Sequence, residues 1–153
     1  MDSSIKIKEL MYLHCENFVD SRFKTIQNSI KQIQESLSSE TKSSAGDKHE
    51  TGRAMLQLER EKLGHQLAEI QRIKENFYKI DITKTSKVVG LGSLVFTSNT
   101  NYFIGVSAGK LIVNNSTFYA ISANTPIAQL LLTKGIGDIV QFRDTQFTIQ
   151  AIH

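Results

Sequence analysis

Apolar residues in the first half of the chain recur at helical spacing. Val19, Phe23, Ile26, Ile30, Ile33 and Leu37 follow one another at steps of 4, 3, 4, 3 and 4. That alternation keeps one apolar seam on one side of a helix and is the pattern of a coiled coil. Leu63, Leu67, Ile70, Ile73, Phe77 and Ile80 form a second run, at steps of 4, 3, 3, 4 and 3. Residues 4–38 contain neither Gly nor Pro, whereas Ser38 to Lys48 (SSETKSSAGDK) is rich in Ser and contains Gly46, which predicts a turn. The expected structure is a helical hairpin whose two seams zip antiparallel, with arms of about 35 residues and roughly 50 Å. A lone two-helix hairpin buries little area for its length, so a globular partner domain is expected beside it.

The period changes in the second half. Strand-like runs occupy 93–97 (SLVFT), 102–106 (YFIGV), 110–113 (KLIV), 118–122 (FYAIS), 138–142 (DIVQF) and 146–152 (QFTIQAI). Val, Ile, Phe and Tyr dominate them, and Gly, Asn, Ser and Thr punctuate them. Pro126 is the sole proline. It suits the first turn of a helix over Ile127 to Thr133, which Gly135 and Gly137 would stop. The pattern predicts an α+β chain: an antiparallel α-helical coiled-coil hairpin over 1–82, then a mostly antiparallel β-sheet domain with one short helix over 83–153.

Charge sharpens the boundary. Residues 1–80 carry 13 of the 18 Lys and Arg and 12 of the 15 Asp and Glu. Charges that nearly cancel read as a solvated helical surface. The formal net charge of +3 permits contact with nucleic acid without the dense basic patch of a dedicated DNA binder. Cys15 is the one cysteine, which excludes an intrachain disulfide and fits a reducing cytoplasm. Its surroundings suggest a buried structural thiol and not a nucleophile. MDSSIKIKEL has no apolar signal core, and no apolar run approaches the ~20 residues that span a bilayer. A cytoplasmic protein with no membrane contact is expected.

The turn holds the candidate chemistry. Asp47 and Glu50 lie three apart, which puts two carboxylates near one face of a starting helix. They could offer oxygen ligands to Mg²⁺. The same Asp-x-x-Glu spacing is a capping box, in which Asp47 accepts backbone N–H groups and Glu50 reaches back to the cap. Both readings stay open, since one carboxylate can cap while the other ligates. Lys42, Lys48 and Arg53 flank the pair and are candidates to meet RNA phosphates.

Gly46-Asp47-Lys48-His49-Glu50-Thr51 resembles the tip signature of the GreA/GreB transcript cleavage factors, roughly Gly-Asp-Leu-x-Glu-Asn. Val89-Gly90-Leu91-Gly92-Ser93 resembles the segment that leads into that family's globular domain. The run from Ile121 to Lys134 (ISANTPIAQLLLTK) resembles its Ile-Ser-x-x-Ser-Pro stretch, and Gly137-Asp138-Ile139-Val140 its Gly-Asp-x-Val strand. The resemblance implies an FKBP-like carboxyl-terminal domain. It implies a monomer that docks at the secondary channel of bacterial RNA polymerase through Asn124, Thr125 and Pro126. It further implies that Asp47 and Glu50 act there in trans, next to the 3′ end of nascent RNA, sharing a Mg²⁺ with polymerase carboxylates. Two protein carboxylates alone make a poor Mg²⁺ site, so the chain would be a cofactor of another enzyme's cleavage reaction, with no enzyme activity of its own.

The chain departs from the family pattern at Lys48, Thr51, Arg53, Ala54, Thr125 and Gln129. Those departures favour polymerase binding over cleavage and keep a cleavage-silent inhibitor or modulator as an alternative. A coiled-coil interaction module without metal is another. A peptidyl-prolyl isomerase is a weaker rival, because the chain has no Trp for the aromatic floor such pockets use, and fold does not carry activity.

Overall fold

In the computed structural model the backbone is described for residues 2–42 and 47–153, and the side chains for 3–39 and 51–153. Helix α1 spans Asp2–Lys42 and α2 spans Asp47–Phe77. Strands β1 (Leu94–Thr97), β2 (Asn101–Gly105), β3 (Gly109–Val113) and β4 (Ser116–Ser122) follow, then the short helix α3 (Pro126–Leu131), then β5 (Ile139–Phe142) and β6 (Thr145–Ile152). All six expected strands and the helix after Pro126 are present. Helix occupies part of the Ser38 to Lys48 stretch expected to turn, since α1 continues to Lys42 and α2 begins at Asp47. Ser and Thr lower helix propensity by only a few tenths of a kcal/mol each, too little to stop α1 at Ser38.

The chain divides into two compact units, and the division falls elsewhere than residue 82. One unit is Asp20–Glu75; the other is Met1–Val19 with Asn76–His153. The reason lies in the sheet. Adjacent residues Leu94 and Val95 are both fully buried, and so are Phe103 and Ile104. Neighbours along a strand point to opposite faces, so both faces of this sheet need a cover. One face carries Val95, Ile104, Val140, Phe147 and Ile149, which cluster with Ala128 and Leu131 of α3. The other carries Leu94, Phe103 and Phe118, and the amino-terminal part of α1 lies on that side. A Cβ added at Gly105 would stand 2.8 Å from the Phe103 ring and 3.4 Å from Cys15 Sγ. Cys15 Sγ donates to the Val106 carbonyl at 3.9 Å, and His14 Nε2 meets the Ala108 carbonyl at 2.9 Å. Met11 and Cys15 are fully buried, and Tyr12 stacks on Phe77 at 4.5 Å between ring centroids.

The strand order is β3-β4-β2-β1-β6-β5. Every pairing is antiparallel except β2 with β4, which run parallel from Asn101↔Phe118 to Gly105↔Ser122. The parallel pair follows from the tight β3–β4 hairpin. Asn114 and Asn115, at φ 51° and 66°, make the two-residue turn that such a hairpin favours, and β4 therefore returns along β2.

The Asp20–Glu75 unit is a two-helix hairpin. Ile26 and Ile30 of α1 and Ile70 of α2 are buried, while Phe23, Ile33, Leu37, Leu63, Leu67 and Ile73 are half-buried. Lys74 Nζ lies 3.5 Å from Asp20 Oδ1 and 4.7 Å from the centre of the Phe23 ring. The link from Lys42 to Asp47 spans at most about 18 Å. With Lys74 opposite Asp20 and Phe23, that short link makes the two helices antiparallel. Ile80, the last residue of the second expected seam, lies beyond α2 in a turn where its N–H donates to the Phe77 carbonyl at 3.1 Å.

Two glycines are expected to behave oppositely. Gly92 has φ +86°, and a Cβ there would stand 2.7 Å from Ile80 Cγ2. Gly92→Ala should lower unfolding free energy by roughly 2 kcal/mol. Gly64 lies inside α2, where an added Cβ would meet only the tip of Arg60 at 3.2 Å. Gly64→Ala should raise it by about 1 kcal/mol. Urea titration of the two variants against the parent checks both signs.

Candidate functional site

Asp47 and Glu50 occupy the first turn of α2 at the closed end of the hairpin unit. Along α2, Asp47 lies roughly 40 Å from Lys74, at 1.5 Å per residue. The side chains of Lys42, Asp47, Lys48 and Glu50 lie outside the described residues, so the choice between capping and ligation at this turn lies outside them too. Arg53, in the next turn of α2, is half-buried. Among the described residues, no group of three or more His, Cys, Asp or Glu side chains gathers as metal ligands would. No helix among them is long and apolar enough to cross a membrane.

Asn124, Thr125 and Pro126 form the turn between β4 and α3. Thr125 is the N-cap of α3, with φ −73° and ψ 153°. Its hydroxyl accepts from Ala128 N at 3.3 Å and donates to the Ser122 carbonyl at 2.8 Å. Pro126 takes the first helical position, where its missing N–H costs nothing. Ser122 donates from Oγ to Asn124 Oδ1. Gln129 reaches back to the Ala123 carbonyl at 2.6 Å. The backbone of the turn is thus held by its own side chains, while Asn124 and Pro126 are exposed.

A residue that sequence reasoning passed over joins this turn to the rest of its unit. Ser107, in the β2–β3 loop, accepts from Ser122 N at 3.1 Å and lies 3.2 Å from Ser122 Oγ. Its neighbours Val106 and Ala108 are the residues whose carbonyls meet Cys15 and His14 of α1. One three-residue loop therefore touches both α1 and the 122–125 turn. Its only sequence signal is a Ser between two strands, which is too common to single out.

The Gly137-Asp138 pair also builds a turn. Asp138 Oδ2 accepts from Gly135 N at 2.7 Å, and Asp138 N donates to the Gly135 carbonyl at 3.1 Å. Val88 bridges Gly135, which ties the segment before β1 to the segment before β5. Thr133, a β-branched residue, is held at φ +70° and donates from its N–H to the Val89 carbonyl at 2.9 Å.

No protein-family model matches the chain, and no curated protein matches it. It is similar to a solved structure, that of the transcription factor Gfh1. The two are 18% identical, the match covers 93% of this chain and 92% of that one, and the TM-score is 0.35. A superposition that loose fixes no residue-to-residue correspondence.

Burial pushes the Cys15 thiol up to about 11, against a smaller opposing effect of the Val106 backbone. The expected structural thiol is buried and lacks a disulfide partner. Native protein at pH 8 should react with iodoacetamide far more slowly than urea-unfolded protein. The folded state keeps this proton to higher pH than the unfolded state does. Its contribution to stability is therefore present below the ordinary thiol value and is lost as pH rises towards 11. Cys15→Ala should flatten the alkaline limb of stability against pH in that window. At the other site, Thr125→Ala should cost about 1 kcal/mol through loss of the α3 cap, read as a lower urea midpoint.

Proposed function

We propose that this chain binds bacterial RNA polymerase at its secondary channel and presents the hairpin end to the polymerase active site. The observation that carries the reading is the place of Asp47 and Glu50, in the first turn of α2 at the closed end of a two-helix unit whose open end is Asp20 with Lys74. A carboxylate pair at the end of a rod suits work in a narrow channel. The resemblance of Gly46 to Thr51 and of Ile121 to Lys134 to the GreA/GreB pattern supports the same reading. The exposed Asn124 and Pro126 beside the capped Thr125 supply a stiff docking turn. Asp47 and Glu50 would there help hold a Mg²⁺ together with polymerase carboxylates. A Mg²⁺ held there would supply Lewis-acid polarisation of the phosphate or activation of water; this chain's part would be the two carboxylates. Lys42, Lys48 and Arg53 supply positive charge for the extruded RNA.

A second reading has its own support. Thr51, Arg53 and Ala54 replace the residues that follow the carboxylates in the family pattern. A chain with the pair and without its surroundings fits occupancy of the channel without cleavage.

RNA cleavage in stalled, backtracked elongation complexes tests the two together with binding. The parent protein should shorten the transcript from its 3′ end, and Asp47→Ala/Glu50→Ala should reduce the rate at least a hundredfold while polymerase binding persists. Binding without cleavage by the parent protein would establish the inhibitor reading. Absence of binding would refute both.

A further inference from the structure

A cavity of about 370 Å³ opens in the unit that holds the sheet, between the first turns of α1 and the segment that follows α2. Ser4, Ile5, Lys8 and Glu9 line it from α1; Ile82, Thr83, Thr85 and His153 line it from the other side. Its size falls in the range of small-molecule sites, and most of its wall is apolar.

Lys8 sets its chemistry. The residue is 3% exposed, and lysine is rarely buried without a charged partner. Its Nζ donates to the Lys84 carbonyl at 2.9 Å. That neutral acceptor satisfies one of three N–H groups. Among the described residues no carboxylate stands within ion-pair distance of Lys8. Asp81 acts on it only from further away, and desolvation outweighs that attraction and lowers the Lys8 pKa. Asp81 is itself occupied, since its Oδ1 accepts from both N–H and Oγ1 of Thr83. A desolvated ammonium on a residue that lines a mostly apolar cavity gains from an anion that brings its own apolar body.

We infer that this cavity binds a small amphipathic carboxylate, its headgroup at Lys8 Nζ and its tail along Ile5 and Ile82. A single cation suits a single negative charge. Glu9 and Asp81 nearby disfavour a dianion such as phosphate. Ser4 on the α1 side and Thr85 on the other add hydroxyl-bearing residues to the lining for a headgroup oxygen.

Three eight-carbon probes share one tail and differ in the head: sodium octanoate, 1-octanol and octylammonium. In a ¹H–¹⁵N titration of the full chain, octanoate should give saturable shifts at Ile5, Lys8, Ile82 and Thr85. It should bind at least tenfold more tightly than either other probe. Lys8→Met should lose that advantage and bind octanoate and octanol alike, while Lys8→Arg should keep it. Ile5→Ala, at a residue 60% exposed, should weaken all three probes and leave their order intact. It also serves as the folding-neutral variant if Lys8→Met does not fold. Equal affinity for the three probes, no saturable shift with octanoate, or unchanged selectivity in Lys8→Met would overturn the inference.

Discussion

A six-stranded sheet with two apolar faces cannot stand in water with one face bare. In this chain α3 closes one side, and the opening turns of α1 lie across the other. Burying Leu94, Phe103 and Phe118 at ~2 kcal/mol each is a large share of the 5–15 kcal/mol net stability of an ordinary domain. That share requires Met11 and Cys15 to stay where they are. Gly105 makes the approach possible, because any side chain there would strike the Phe103 ring before it reached α1. The helix that opens the chain is thus a structural layer of the sheet unit as well as an arm of the hairpin.

The same contact organises the surface that the proposed function uses. The loop at 106–108 takes His14 and Cys15 on one side and holds Ser122 through Ser107 on the other. Ser122 in turn holds Asn124 and accepts from Thr125. The candidate docking turn is therefore braced twice, by the cap of α3 and by a loop that α1 supports. Most of its polar side chains are spent on the backbone, which leaves Asn124 and Pro126 as the outward features of a stiff corner.

Much of this was legible in the residues. Period 3.6 gave way to period 2 close to where the helices end and the strands begin, and each strand lies within two residues of its expected start. What periodicity could not reveal is the partner of an apolar face. Met11 and Cys15 precede Val19 at steps of four, so they extend the α1 seam without a break, yet the seam passes there from α2 to the sheet. An apolar stripe is the same signal whichever surface covers it. The parallel pairing of β2 with β4 was hidden for a similar reason: it depends on where the β3–β4 hairpin returns. At the docking turn, Pro126 was legible as a helix start and Thr125 as its neighbour, while Ser107, fifteen residues before Ser122, carried no local mark. The tip carboxylates were placed on α2 by sequence and by structure, and their side chains lie outside the described residues.

The pairing of β1 with β6 has a consequence for the order in which the chain matures. Val95 meets Ile152, a partner fifty-seven positions later, and the central strands cannot close until that late stretch has been made. During synthesis α1 is complete long before its cover exists, so its greasy flank spends that interval uncovered beside the ribosome.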